Sequence, residues 1–274
     1  MSSYGRSRCE RYDQAEGKLK SFTRSAVRTK IMLCLMDGTK EAGELERDIG
    51  LRASTILHSI KEMIEADLVQ KADRGYFLTN IGRIQAALLN GLVDTIIVLD
   101  QHHDFWMNHD MSGVPLDLQT KVGMLIDSEV VAGDPRELLK AQEYFMEKVV
   151  ESKVIGGVSP IIIPGYAEAI AIPVEKGAEV DLVLTSPILD IVIQEYGDVM
   201  RGLLSHLNFR LYRLDESIKV AFTVTDEHLY LGLYRLDNTY DLGNDLFCSG
   251  EGATKWGRAL FEYYKSKSHL VKKI

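Results

Sequence analysis

"RASTILHSIKEMIEADLVQKADRGYFLTNIG", Arg52 to Gly82, changes its period half-way along. In the first half Ile56, Ile60, Met63 and Ile64 recur at helical spacing, with Ser54, Thr55, His58, Ser59 and Lys61 on the opposite side. That spacing predicts an amphipathic helix with a short, polar, neutral-to-basic outer face. The second half, "DLVQKADRGYFLTN", alternates apolar and polar residues around Asp73-Arg74-Gly75. It predicts a hairpin with a basic tip and a glycine placed for a positive φ.

Upstream, "SAVRTKIMLCLM" sets Val27, Ile31, Leu33, Cys34 and Leu35 on one face before Asp37-Gly38, and "TKEAGELERDIG" spaces Leu45 and Ile49 four apart before Gly50. Three helices, a tight turn at residues 50–52 and a hairpin are the order of a winged helix-turn-helix. In such a unit the third helix enters a major groove. Ser54, Thr55, His58, Ser59 and Lys61 are therefore the expected groove-facing residues, with Arg52, Lys71 and Arg74 on phosphates of double-stranded DNA. The competing reading makes the same residues the solvated face of a small helical domain, or a protein-contact surface.

A chain of 274 residues has room for two domains. Residues 1–83 carry 15 Lys and Arg against 12 Asp and Glu, and the remainder 17 against 28. The basic part is thus the part with the winged-helix pattern, while the acidic remainder limits non-specific attraction to DNA. Cys9, Cys34 and Cys248 are odd in number, far apart and without a CxxC pair, which argues against a disulfide framework and a cysteine zinc site. No apolar run approaches the roughly 18 residues of a membrane span, and the N-terminus lacks an apolar signal core. The expectation is a soluble, cytoplasmic protein without a membrane partner.

The first 20 residues lack apolar periodicity and are expected to form a mobile arm, leaving the winged helix at 21–85. Ile81, Ile84, Leu88, Leu92, Ile96 and Leu99 then predict a helix of roughly 20 residues, assigned to a linker at 86–108 and a natural place for two protomers to meet. Residues 109–274 read as an α/β domain for effector binding or dimerisation. A helix is expected to start at Asp134-Pro135 and another at Ser186-Pro187. Strands are expected at "KVIGGVSPIII", "EVDLVLTS", "FRLYRLD", "KVAFTVTD" and "HLYLGLYRLD", and a closing helix packs Trp256, Leu260, Phe261 and Tyr264 on one side. The fold class is α+β and α/β.

"RSAVRTKIMLCLMDG", "YFLTNIG", "HHDFWMNHDMSGVP", "VAFTVTDEHLYLGLYRLDNTYD" and "WGRALFEYY" together resemble archaeal transcriptional regulators that join a winged helix to a methanogen filamentation-regulator-type middle domain, the family of the methanol-specific regulators. The resemblance covers residues 20–266 and implies an archaeal transcription factor whose C-terminal domain takes in a signal. That domain is also similar to the phospholipase-D-like regulatory domains of archaeal sugar-responsive regulators. Phospholipase-D chemistry needs His-x-Lys-x-x-x-x-Asp, a nucleophile and an anion-stabilising lysine. The chain has His228, but Tyr230 in the lysine position and Arg235 in the aspartate position. Catalysis by that route is not expected.

His102, His103 and His109 lie beside Asp104 and Asp110, but the spacing fits no compact ligand set. Neither a metal nor a cofactor is expected, and no P-loop, Rossmann fingerprint or Gly-x-Ser-x-Gly elbow is present. Thr185 and Ser186, at a strand-to-helix junction, with His228 and Tyr230, are the candidate site for a small-molecule effector. The reading is a homodimeric, sequence-specific DNA-binding regulator. The alternatives are a sensor or interaction module without DNA binding, and a phosphodiesterase-like enzyme.

Overall fold

The computed structural model describes residues 7–132, 138–163 and 165–274. The chain divides into two compact units, Met1–Leu92 and Val93–Ile274.

The first unit begins with α1 (Arg8–Thr23), where the sequence led us to expect an irregular arm. Helix formation here does not depend on an apolar face. Ser7 Oγ accepts the Glu10 N–H at 3.2 Å and the Glu10 carboxylate accepts the Ser7 N–H at 2.7 Å, a reciprocal capping box. α2 (Ala26–Cys34) is capped by Ser25 and followed by a single 3₁₀ turn, Leu35–Asp37. α3 (Ala42–Ile49) stops at Gly50, whose φ of 75° is the left-handed conformation glycine takes without strain. α4 (Ala53–Glu65) follows after a short turn. β1 (Val69–Lys71) and β2 (Tyr76–Leu78) pair antiparallel with Val69 opposite Leu78 and Lys71 opposite Tyr76. Ile31, Met32, Leu35, Leu45, Ile49, Ile56, Ile60 and Met63 form the core, closed by Leu68, Val69 and Leu78 from the hairpin.

α5 runs from Asn80 to Gln101, six residues earlier than the expected linker, and the division between units falls within it. Ile81, Ile84, Leu88, Leu92, Ile96 and Leu99 are all exposed. By length and composition α5 is apolar enough to cross a membrane, with 22% of its most apolar window buried. Counting unbroken apolar runs missed this, because Asn90, Asp94 and Thr95 interrupt the run.

The second unit adds α6 (His103–Asn108), α7 (Leu116–Gln119), β3 (Ser128–Ala132), α8 (Leu138–Glu151), β4 (Val154–Ser159), α9 (Tyr166–Glu175) and β5 (Glu179–Thr185). It continues with α10 (Ser186–Leu204), β6 (Phe209–Leu214), β7 (Val220–Val224), β8 (His228–Leu233), β9 (Asn244–Ser249), α11 (Gly250–Ser266) and β10 (His269–Leu270). The expected helix start at Asp134-Pro135 lies outside the described residues. Eight strands form one mixed sheet in the order β10-β6-β5-β4-β7-β8-β9-β3, with β4, β5 and β6 parallel. β3 and β9 had no counterpart in the sequence reading. They are the edge pair, running antiparallel from Ser128 opposite Cys248 to Ala132 opposite Asn244.

Side chains alternate across this sheet. Val158, Phe222, Val224, Leu229 and Leu231 pack on Trp256, Leu260, Phe261 and Tyr264 of α11, which is the expected face of that helix. Ile155, Val180, Leu182 and Leu211 point the other way, onto Ile170 and Val174 of α9 and Leu189, Met200 and Leu203 of α10. The β8–β9 connection is held by a buried carboxylate. Asp241 accepts Arg235 Nε at 3.0 Å and Nη2 at 2.8 Å, Asn244 Nδ2 at 3.0 Å and the Gly243 N–H at 3.0 Å, with His109 Nε2 at 3.2 Å. Burial pushes its pKa up, but the Arg235, Asn244 and Gly243 hydrogen bonds outweigh burial and hold it at about 2.

Candidate nucleic-acid interface

α4 buries Ile56, Ile60 and Met63 at i, i+4 and i+7, so the helix turns a fixed opposite face to solvent. Ser54, Thr55, Leu57, His58 and Lys61 are exposed there, and Arg52 is exposed at the N-cap. Ser59 does not join them. It is 6% exposed, because four residues at about 100° each bring it within about 40° of Met63. Ile64 errs the other way, exposed where the sequence placed it in the core. The first turn carries no acidic residue, and Glu62 and Glu65 sit toward the C-terminal end. The residues of the helix's N-terminal half therefore bring no carboxylate of their own, although Glu46 of α3 accepts the Ala53 N–H at 3.3 Å at the helix start. His58 Nε2 lies 3.7 Å from Glu62, which also approaches Arg28 at 3.6 Å.

The hairpin presents Lys71, Asp73 and Arg74 to solvent. Its turn closes with the Ala72 N–H donating to Gly75 O at 3.0 Å. Lys40 adds a third backbone segment: its N–H donates to Tyr76 O at 3.0 Å, and the Tyr76 N–H donates to Lys40 O at 2.9 Å. Gly75 has a φ of 90°, and a Cβ there would run into the Lys40 carbonyl, so the turn needs glycine twice over. The Lys40 ammonium is fixed on Asp48 at 2.6 Å, a hydrogen bond that raises its pKa.

The expected effector residues are not one site. Thr185 ends β5, two residues beyond Val183, which lies in register with Val158, Phe222 and Leu231. β8 runs in the same direction as β5, and His228 lies three residues before Leu231. Thr185 and His228 are thus roughly 17 Å apart along the strands, and three strands apart across the sheet. Two antiparallel steps, β4 to β7 and β7 to β8, put the start of β8 at the opposite edge from the strand ends. Thr185 is buried, and its side chain makes no cap bond to α10. Ser186 is the first helical residue rather than the cap; its hydroxyl donates to Asp215 at 2.6 Å and accepts Arg213 Nε at 2.9 Å. Tyr230 packs its ring against Phe145 and Phe247, with ring centres at 4.4 and 4.8 Å.

A cleft of about 830 Å³ lies elsewhere in this unit, between the end of α5, α6 and the β8–β9 connection. His102, His103, Asp104, His109, Arg235 and Asp241 are among its walls. His102 Nε2 sits 3.0 Å from both Ser128 O and Ser128 Oγ, and His109 Nδ1 lies 2.7 Å from Phe105 O. Among the described residues no group of three His, Cys, Asp or Glu side chains is placed to hold a metal ion. Cys9, Cys34 and Cys248 are unbonded thiols, and burial raises the pKa of Cys34 and Cys248.

Known proteins bear on both units. Residues 16–97 match the family model for the N-terminal domain of methanogenesis regulatory protein FilR1, and residues 138–267 match its middle domain. Methanogenesis regulatory protein FilR1 of Methanothrix harundinacea (strain 6Ac) is 34% identical over 256 residues. The match takes in 92% of this chain and 57% of that relative, so the chain spans little more than half the relative's length. Among solved structures, TrmBL2, described as an archaeal chromatin protein with a novel mode of DNA binding, has a TM-score of 0.43 at 13% identity, over 88% of this chain and 91% of its own. Nuc of Salmonella typhimurium, a phospholipase D family member, has a TM-score of 0.37 at 12% identity, over 53% of this chain and 99% of its own. Both scores fall under 0.5, too low for either likeness to bear on function.

Proposed function

The chain belongs to the family of methanogenesis regulatory protein FilR1, with its N-terminal and middle domains, and from that membership we propose that it is a cytoplasmic, sequence-specific DNA-binding transcriptional regulator. The observation that carries this reading is the outer face of α4 beside the hairpin. An exposed N-terminal half whose own residues include no acid, with Ser54, Thr55, His58 and Lys61 turned outward, can approach base edges, while Arg52, Lys71 and Arg74 can neutralise phosphates.

The regulator acts as a homodimer through α5. Six of its seven exposed large apolar residues, all but Ile97, are spaced 3, 4, 4, 4 and 3 apart, which averages 3.6 and keeps those six on one face of a straight helix. Against a second α5 running the opposite way, Ile81 faces Leu99, Ile84 faces Ile96 and Leu88 faces Leu92, so each of these six side chains meets another. Two protomers give two recognition helices and a two-fold symmetric operator. The second unit senses a signal, and the cleft beside His109 and Arg235 has the size of a metabolite site. The family is regulatory, and Tyr230 and Arg235, which replace the lysine and aspartate of the phospholipase-D motif, are committed to ring packing and to Asp241.

Selection of bound fragments from a genomic library tests the reading. Enrichment of one palindromic sequence by the wild type, relaxed in His58→Ala, is the expected result. No enrichment at low salt would leave the chain a sensor or interaction module instead.

A further inference from the structure

The outer face of α4 holds a large apolar side chain that phosphate and hydrogen-bond contacts leave unexplained. Leu57 is 41% exposed, while its neighbours Ile56 and Ile60 are at 0% and 1%. Ser54 lies one turn before it, Lys61 one turn after, and His58 beside it, all exposed. It sits five residues after the N-cap Arg52, about 7 Å along the axis, within the half of a recognition helix that reaches bases.

On the DNA-binding reading above, we propose that Leu57 reads the C5 methyl group of a thymine in the major groove and so sets part of the sequence preference. Thymine is the base that presents a methyl group there; adenine, guanine and cytosine present donors and acceptors. A leucine pressed on those polar edges would strip their water and return no hydrogen bond. A methyl group loses nothing by the contact and buries apolar surface. The Ser54 hydroxyl can both donate and accept, so it discriminates weakly among bases. Leu57 has no such latitude, and specificity at its position follows from what it cannot bond.

Deoxyuridine tests this, since it keeps the hydrogen-bonding pattern of thymidine and lacks the methyl group. Thymines of the site selected by the wild type are replaced one at a time, and binding is measured for the wild type, Leu57→Ala and Leu57→Met. For the wild type and Leu57→Met, one position per recognition helix should show a loss of about fourfold, what burial of one methyl group is worth. For Leu57→Ala the same replacement should change nothing. An equal uracil penalty in the wild type and Leu57→Ala, or no penalty at any position, overturns the assignment while leaving DNA binding in place. A wild type that selects no site overturns the DNA-binding reading itself and the assignment with it. Circular dichroism should match among the three proteins, because the Leu57 side chain lies outside the core.

Discussion

Gly75 is the residue on which the wing depends. Its φ of 90° and the Lys40 carbonyl behind it leave no room for a side chain. Gly75→Ala should destabilise the first unit by about 2–4 kcal/mol, from left-handed strain plus the displaced carbonyl. Gly43→Ala, within α3 and with open space around the added methyl, should stabilise it by about 0.5–1 kcal/mol. Urea unfolding checks both, and equal midpoints for the two variants would contradict the geometry. Asp245 gives the second unit a pH dependence. Burial pushes its pKa up to about 6; the Asp241 charge adds to this, against the Tyr240 hydroxyl bond and His109. An unfolded aspartate titrates near 3.9, so the folded chain holds this proton more tightly. The contribution to stability is full below about pH 4 and is lost as pH rises through about 6. Asp245→Asn keeps an oxygen for the Tyr240 hydroxyl and should flatten that slope while raising stability at pH 7; a stability profile identical to wild type would refute the assignment.

At the scale of elements, α4 and the hairpin were legible because their signals are local. Apolar spacing placed Ile56, Ile60 and Met63 correctly on the buried face but not Ile64, and Asp73-Arg74-Gly75 fixed the turn. Ser59 was misplaced because it lies near the edge of the apolar arc, where 40° decides burial. Leu57 was passed over because the outer-face residues were chosen among polar side chains alone. α1 did have a signal, the Ser7-x-x-Glu10 box, that an apolar-periodicity reading does not see. β3 is a short edge strand whose pairing with β9 joins residues more than a hundred positions apart, which local pattern cannot report. The effector corner failed for the same reason: which end of β8 lies beside which end of β5 is decided by two antiparallel pairings, not by any one segment. For α5, Leu88→Glu with Leu92→Glu should convert a dimer to a monomer in sedimentation, with the helix content kept, because neither side chain contributes to a core. A variant that sediments like the wild type would contradict pairing through this face.

At the scale of the molecule, chain length led to an expectation of two domains with a linker at 86–108, whereas the two compact units divide at Leu92–Val93, within α5. A signal bound in the second unit can alter DNA binding if the helix joining the units transmits a change between two packings. Inserting two residues after Asn90 rotates the rest of α5 by about 200° and should abolish regulation while each unit stays folded. Regulation that survives the insertion would show that α5 is a tether only. On the proposed function α4 and the wing grip a DNA backbone, and the salt dependence of binding tests this. Each phosphate contact contributes about −0.9 to the slope of log K against log salt. A steep slope is expected for the wild type, becoming shallower by nearly 3 per protomer when Arg52, Lys71 and Arg74 are all replaced by alanine. A slope that is near zero, or unchanged by the triple replacement, would contradict it.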